Sequence, residues 1–95
     1  MEEIKTQLSQ EIADVAWESI KPHAQRDAVI VVNSGLDLIE VGMAIAEDRT
    51  MTVQHWIAEA LIRKPSAIEL SQWNDKPSKE FSALIIQPFV LVQEV

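Results

Sequence analysis

Apolar residues at the start of the chain fall at steps of three and four, so that Ile4, Leu8, Ile12, Val15, Ala16 and Ile20 would stack along one side of a helix. The spacing predicts an amphipathic helix over 3–20, with Lys5, Gln7, Glu11, Asp14 and Glu18 on its polar side and Trp17 flanking the stripe. Pro22 favours an extended backbone at Lys21 and so ends the pattern. A polar connector, His23 to Asp27, then leads into Ala28-Val29-Ile30-Val31-Val32, a β-branched run without helical period that reads as the strongest strand.

Asn33-Ser34-Gly35 supplies turn residues, and Ser34 with Asp37 has the spacing of a capping box ahead of a helix over 36–47. Leu38, Ile39, Val41, Met43 and Ile45 nearly encircle that helix, which predicts deep burial, and Gly42 marks a close approach by another element. Asp48 and Thr50 offer caps for a third helix over 51–63, where Val53, Trp56, Ile57, Ala60 and Leu61 give a clean three-four pattern. Pro65 breaks it, and Ser66 with Glu69 forms a capping box for a short helix over 67–74 carrying Ile68, Leu70 and Trp73.

The segment from Phe81 to Gln93 is uncharged and rich in strand-favouring residues. A hairpin folded at Pro88 would force Phe89 and Val90 into turn positions that favour other residue types, so one long strand is expected. Alternation along it sends Ala83, Ile85, Phe89 and Leu91 to one face and Leu84, Ile86, Val90 and Val92 to the other. Both faces are apolar, and something must cover both. Either the four helices divide between them, or a second copy covers one or completes the sheet, with Ile85, Phe89 and Leu91 as the self-association residues. The expected architecture is a single α+β domain over 1–95, in the order α-β-α-α-α-β with a long terminal strand.

With 95 residues, 47% of them hydrophobic, the chain is sized for one core. Charges interrupt every apolar run before it reaches the roughly 18 residues of a membrane span. Eight basic against 15 acidic side chains give a net charge of −7, and the basic residues are scattered. No nucleic-acid or membrane partner is therefore expected, because both need clustered Lys and Arg. An acidic helical surface instead fits a basic protein partner. The absence of cysteine removes thiol chemistry, and the acidic start Met1-Glu2-Glu3 differs from a secretory leader, so a cytoplasmic location is expected.

Several segments share the order and spacing of one family. Pro22-His23-Ala24-Gln25-Arg26-Asp27 before the strand, Leu36-Asp37-Leu38-Ile39-Glu40-Val41, Trp56-Ile57, Lys64-Pro65-Ser66, Trp73 and the terminal Gln87 to Glu94 together resemble the bacterial domain-of-unknown-function family numbered 2288. The resemblance spans almost the whole chain and implies a small, stand-alone intracellular bacterial protein. It carries no activity, cofactor or catalytic residue onto these positions.

Candidate chemistry is sparse. His55 and Glu59 lie four apart on a helix, but zinc wants three or four ligands, and a surface pair is the simpler reading; no metal or cofactor is expected. His23, Arg26 and Asp27 could serve a small enzyme or ligand binder, because histidine titrates near neutral pH. The carboxylates beyond the strand, Asp37 and Glu40, lie too far along it to share one tight site with them. Asn33-Ser34-Gly35 could bind an anion at the helix start, although Asp37 makes a capped turn the simpler account. Trp17, Trp56 and Trp73 could line an aromatic pocket or simply fill the core. The favoured expectation is a non-enzymatic, self-associating interaction module. The alternative is the small enzyme or ligand binder at the His23 connector.

Overall fold

A computed structural model describes residues 11–94. The part of the expected opening helix over residues 3–10 lies outside them. The elements run β1 (Ala13–Ala16), α1 (Trp17–Gln25), β2 (Val29–Val32), α2 (Leu38–Ala46), α3 (Thr50–Ala58), β3 (Ile62–Arg63), α4 (Ala67–Asp75), β4 (Glu80–Ile86) and β5 (Phe89–Glu94). The fold is α+β, with four helices on a five-stranded mixed sheet ordered β1-β4-β5-β2-β3. Only the β2–β5 pairing is parallel.

Residues 80–94 form a hairpin and not the single strand expected. A turn at Pro88 was expected to take Phe89 and Val90, whereas Gln87 and Pro88 occupy its two central positions, joined by a cis peptide bond, and Ile86 pairs with Phe89. Both apolar strands thus become neighbours at the middle of the sheet. The face assignment changes with them: Val90 and Val92 lie opposite Ile85 and Ala83, while Phe89 and Leu91 lie opposite Ile86 and Leu84.

The first expected helix also divides. Ala13–Ala16 pairs with β4 as an edge strand, in register Ala13↔Ala83 to Ala16↔Glu80. Ile12 and Val15 are three apart, which puts side chains on one side of a helix but on opposite faces of a strand. Ile12 packs against the cluster that contains Leu84 and Leu91, and Val15 against the one that contains Phe81 and Trp17. Pairing with β4 overrides the helical period because it satisfies backbone groups that β4 would otherwise leave open.

Helix α1 starts at Trp17 and runs through Pro22 to Gln25, so Pro22 does not end it. Glu18 and Pro22 both lie on the exposed side, where the carbonyl that proline cannot bond meets water. Backbone carbonyls cap its start: the Trp17 N–H donates to Lys79 at 2.7 Å and the Glu18 N–H to Pro77 at 3.0 Å. Its end is a Schellman motif, in which Ala28 N–H reaches His23 O and Asp27 N–H reaches Ala24 O while Asp27 takes a left-handed φ of 61°. Helices α2 and α3 end the same way at Asp48 and Ala60, so α3 stops at Ala58, and β3 takes the residues expected to continue it.

Asp37 itself caps α2, its side chain accepting from Ile39 N–H at 2.9 Å, so the expected Ser34–Asp37 box is replaced by a single cap. No side chain caps α3. The Ser66–Glu69 capping box forms at α4 as expected.

The helices divide between the faces. On one, Trp17, Ile20 and Trp73 cover Val29, Val31, Phe81, Ala83, Val90 and Val92. On the other, Leu38 and Val41 pack on Val32, Ile62, Leu84 and Leu91. Gly42 is where α2 meets the sheet, since a Cβ there would lie 2.7 Å from Leu84 Cδ2.

Candidate functional site

Helix α3 contributes no buried side chain, although its apolar pattern is the cleanest in the sequence. Trp56 and Val53 reach the core only partly. Between α3 and the sheet lies a hollow of about 420 Å³. The sheet supplies Ile30, Ile62 and Phe89, and the end of α2 supplies Ala44 and Ile45. From α3 come Thr50, Val53, Gln54 and Ile57, which share one side because they are three or four apart. The exposed residues Asp48, Arg49 and Lys64 stand at the opening, and Arg63 completes the lining.

The basic groups of the lining are paired. Arg49 pairs with Glu47, and Lys64 with Asp27. Arg63 holds Glu69 through two hydrogen bonds, at 2.5 and 2.8 Å. Val31, its register partner, faces α1 and α4, and Glu69 belongs to α4, so this guanidinium turns away from the hollow. Chiefly because of the Arg63 hydrogen bond, with help from Ser66, the Glu69 carboxyl is lowered from 4.5 to about 2. Arg63 is correspondingly raised.

The His23 connector comes together only in part. His23 Nδ1 accepts from the Arg26 guanidinium at 3.1 Å in an exposed contact, while Asp27 turns to Lys64. Asn33-Ser34-Gly35 is a closed turn: Asn33 Oδ1 accepts from Gly35 N–H at 2.8 Å, and Gln93 Nε2 donates to the carbonyls of Asn33 and Leu36. His55 and Glu59 are exposed, and among the described residues no group of three or more His, Cys, Asp or Glu side chains is placed to hold a metal ion. No helix among them is long and apolar enough to cross a membrane.

Of the self-association residues, Leu91 is fully buried within its own chain, Phe89 lines the hollow, and Ile85 is 52% exposed. Two of the three tryptophans meet: Trp17 and Trp73 lie 5.1 Å apart between ring centroids, with Phe81 at 4.9 Å from Trp73. They fill core, and Trp56 lies on the other face. The hollow was hidden in the sequence because its aliphatic lining reads as ordinary core. The one local signal was Thr50 and Gln54 on the same side of the helix as Val53 and Ile57, where a buried stripe would be apolar throughout.

The solution NMR structure of PA1075 from Pseudomonas aeruginosa is similar, with a TM-score of 0.81 and 26% identity over 99% of this chain and 86% of that one. No curated protein matches the chain. The family model described as "Protein of unknown function (DUF2288)" matches residues 3–94, from ahead of β1 to the end of β5. The chain belongs to the DUF2288 family.

Proposed function

We propose that this protein is a non-enzymatic binding domain whose working site is the hollow beneath α3. The observation that carries this reading is about 420 Å³ of aliphatic-lined space in so small a chain. Pockets that take small organic molecules run from about 300 to 1,000 Å³ and are mainly apolar with a few polar groups, here Thr50 and Gln54. Catalysis at the connector has less support, because Asp27 is engaged elsewhere and His23 and Arg26 contact each other in solvent.

Fluorescence titration with N-phenyl-1-naphthylamine, an uncharged apolar dye, tests the reading. One saturable site per chain is expected, lost in Ile57→Glu and kept in Ile68→Glu, since both isoleucines are exposed but only Ile57 lines the hollow. The reading falls if the wild type shows no saturable binding or if both variants lose it equally.

A second reading, self-association into a homodimer, draws on Ile85, exposed at the hairpin end of its strand. Light scattering over a wide concentration range checks it. A dimer that Ile85→Lys dissociates supports it, and a wild type that stays monomeric removes it.

A further inference from the structure

We infer that the hollow takes an uncharged, chiefly aliphatic ligand, and that the ion pair which its lining residue Lys64 makes with Asp27 is the specificity determinant that turns carboxylates away. The inference rests on the binding reading above. In a chain of net charge −7, three basic residues in the lining of one apolar hollow would by themselves mark a site for an anion. Each of them, however, already has a carboxylate: Glu47 for Arg49, Glu69 for Arg63 and Asp27 for Lys64. Asp48 adds one more negative charge at the opening, so the cations are more than balanced. An entering anion must separate an ion pair and then sit beside the displaced carboxylate, whereas an uncharged ligand meets neither cost. The uncharged polar groups of the lining are the Thr50 hydroxyl, which donates to the Asp48 carbonyl at 3.3 Å and keeps its oxygen as an acceptor, and the Gln54 amide, four apart on α3 and together suited to a ligand hydroxyl.

Lys64–Asp27 is the pair best placed to set this preference. Arg63 points to α4, and the Glu47 side chain is only 16% exposed, which leaves Arg49 with a partner held in the protein surface. Lys64 and Asp27 are both largely exposed, and Asp27 is held by the left-handed turn that ends α1, not by packing. Asparagine also tolerates that backbone conformation, so Asp27→Asn removes the charge and leaves the turn in place.

The experiment displaces bound N-phenyl-1-naphthylamine from the full chain with 1-decanol or decanoate, at neutral pH and low salt. In the wild type, decanol is expected to compete at a concentration at least about tenfold lower than decanoate. In Asp27→Asn, decanoate is expected to gain about tenfold while decanol stays within about twofold, because only the anion senses the freed lysine. The inference is overturned if decanoate matches decanol in the wild type, if Asp27→Asn leaves decanoate unchanged, or if both competitors shift together. Loss of dye binding in step with the appearance of a dimer would give the hollow to a second copy and overturn it as well. A dye that never binds removes the binding reading and this inference with it; a dye that binds without the predicted discrimination removes this inference alone.

Discussion

Two of the described helices cover each face of the sheet, and the faces end in different states. Under α1 and α4, Trp17, Trp73 and Phe81 interlock with tilted or edge-on rings, and Trp17 Nε1 finds Asn74 Oδ1 at 2.9 Å. Large side chains from both helices and the sheet meet there, and the hollow beside Trp17 measures about 190 Å³, less than half the one under α3. Under α2 and α3, a glycine brings one helix hard against Leu84, while the other turns Val53 and Ile57 to the hollow and has no fully buried side chain. Equal cover by helices therefore does not give equal filling. Filling depends on side-chain reach at each contact, and the second face has its bulk at α2 and its space at α3.

The contrast can be broken most severely on the filled face. Trp73→Ala should cost about 3–5 kcal/mol in urea unfolding followed by circular dichroism, since it empties the centre of the aromatic cluster. Next in size is Gly42→Ala, where the added methyl meets buried Leu84 and should cost about 1–3 kcal/mol in the same measurement. A smaller, pH-dependent effect belongs to the Arg63–Glu69 pair. Glu69 titrates at about 2 in the fold against 4.5 ordinarily, so its stabilisation is complete above pH 4.5 and disappears as the pH falls towards 2. Stability profiles of wild type and Glu69→Gln should accordingly differ most above pH 4.5 and converge near 2. The gap will be modest, since Arg63 is 42% exposed and screened by solvent. Smallest of all is Ile57→Ser on the open face, expected to move stability by less than about 0.5 kcal/mol while abolishing dye binding. A large loss of stability there would mean that α3 is packed after all.

Much of this was legible in the chain where local chemistry decides. The β2 run, the Ser66–Glu69 capping box and the close approach at Gly42 are written in adjacent residues, and the structure has each of them. Reading failed where a distant partner decided. Ala13–Ala16 became a strand because β4 needed a neighbour, and Pro22 was carried within α1 because its lost hydrogen bond opens to water. The hairpin was missed through the assumption that a turn at Pro88 must consume Phe89. The hollow could not be read because a lining isoleucine and a packed one are the same letter; only what stands opposite distinguishes them.

The sheet order has a further consequence, in time rather than in space. β4 and β5, which carry most of the surface that the helices cover, are made after every helix. On the ribosome, α1 to α4 therefore exist before the strands that give them a common floor, and β2 waits for a parallel partner about 60 residues downstream. Until residues 80–94 have emerged, Trp17, Ile20, Trp73, Leu38 and Val41 lack most of the strand surface that they cover in the fold, and one edge of β2 stays open. Both cores therefore wait for the last two strands of the described chain, and neither can close before they arrive.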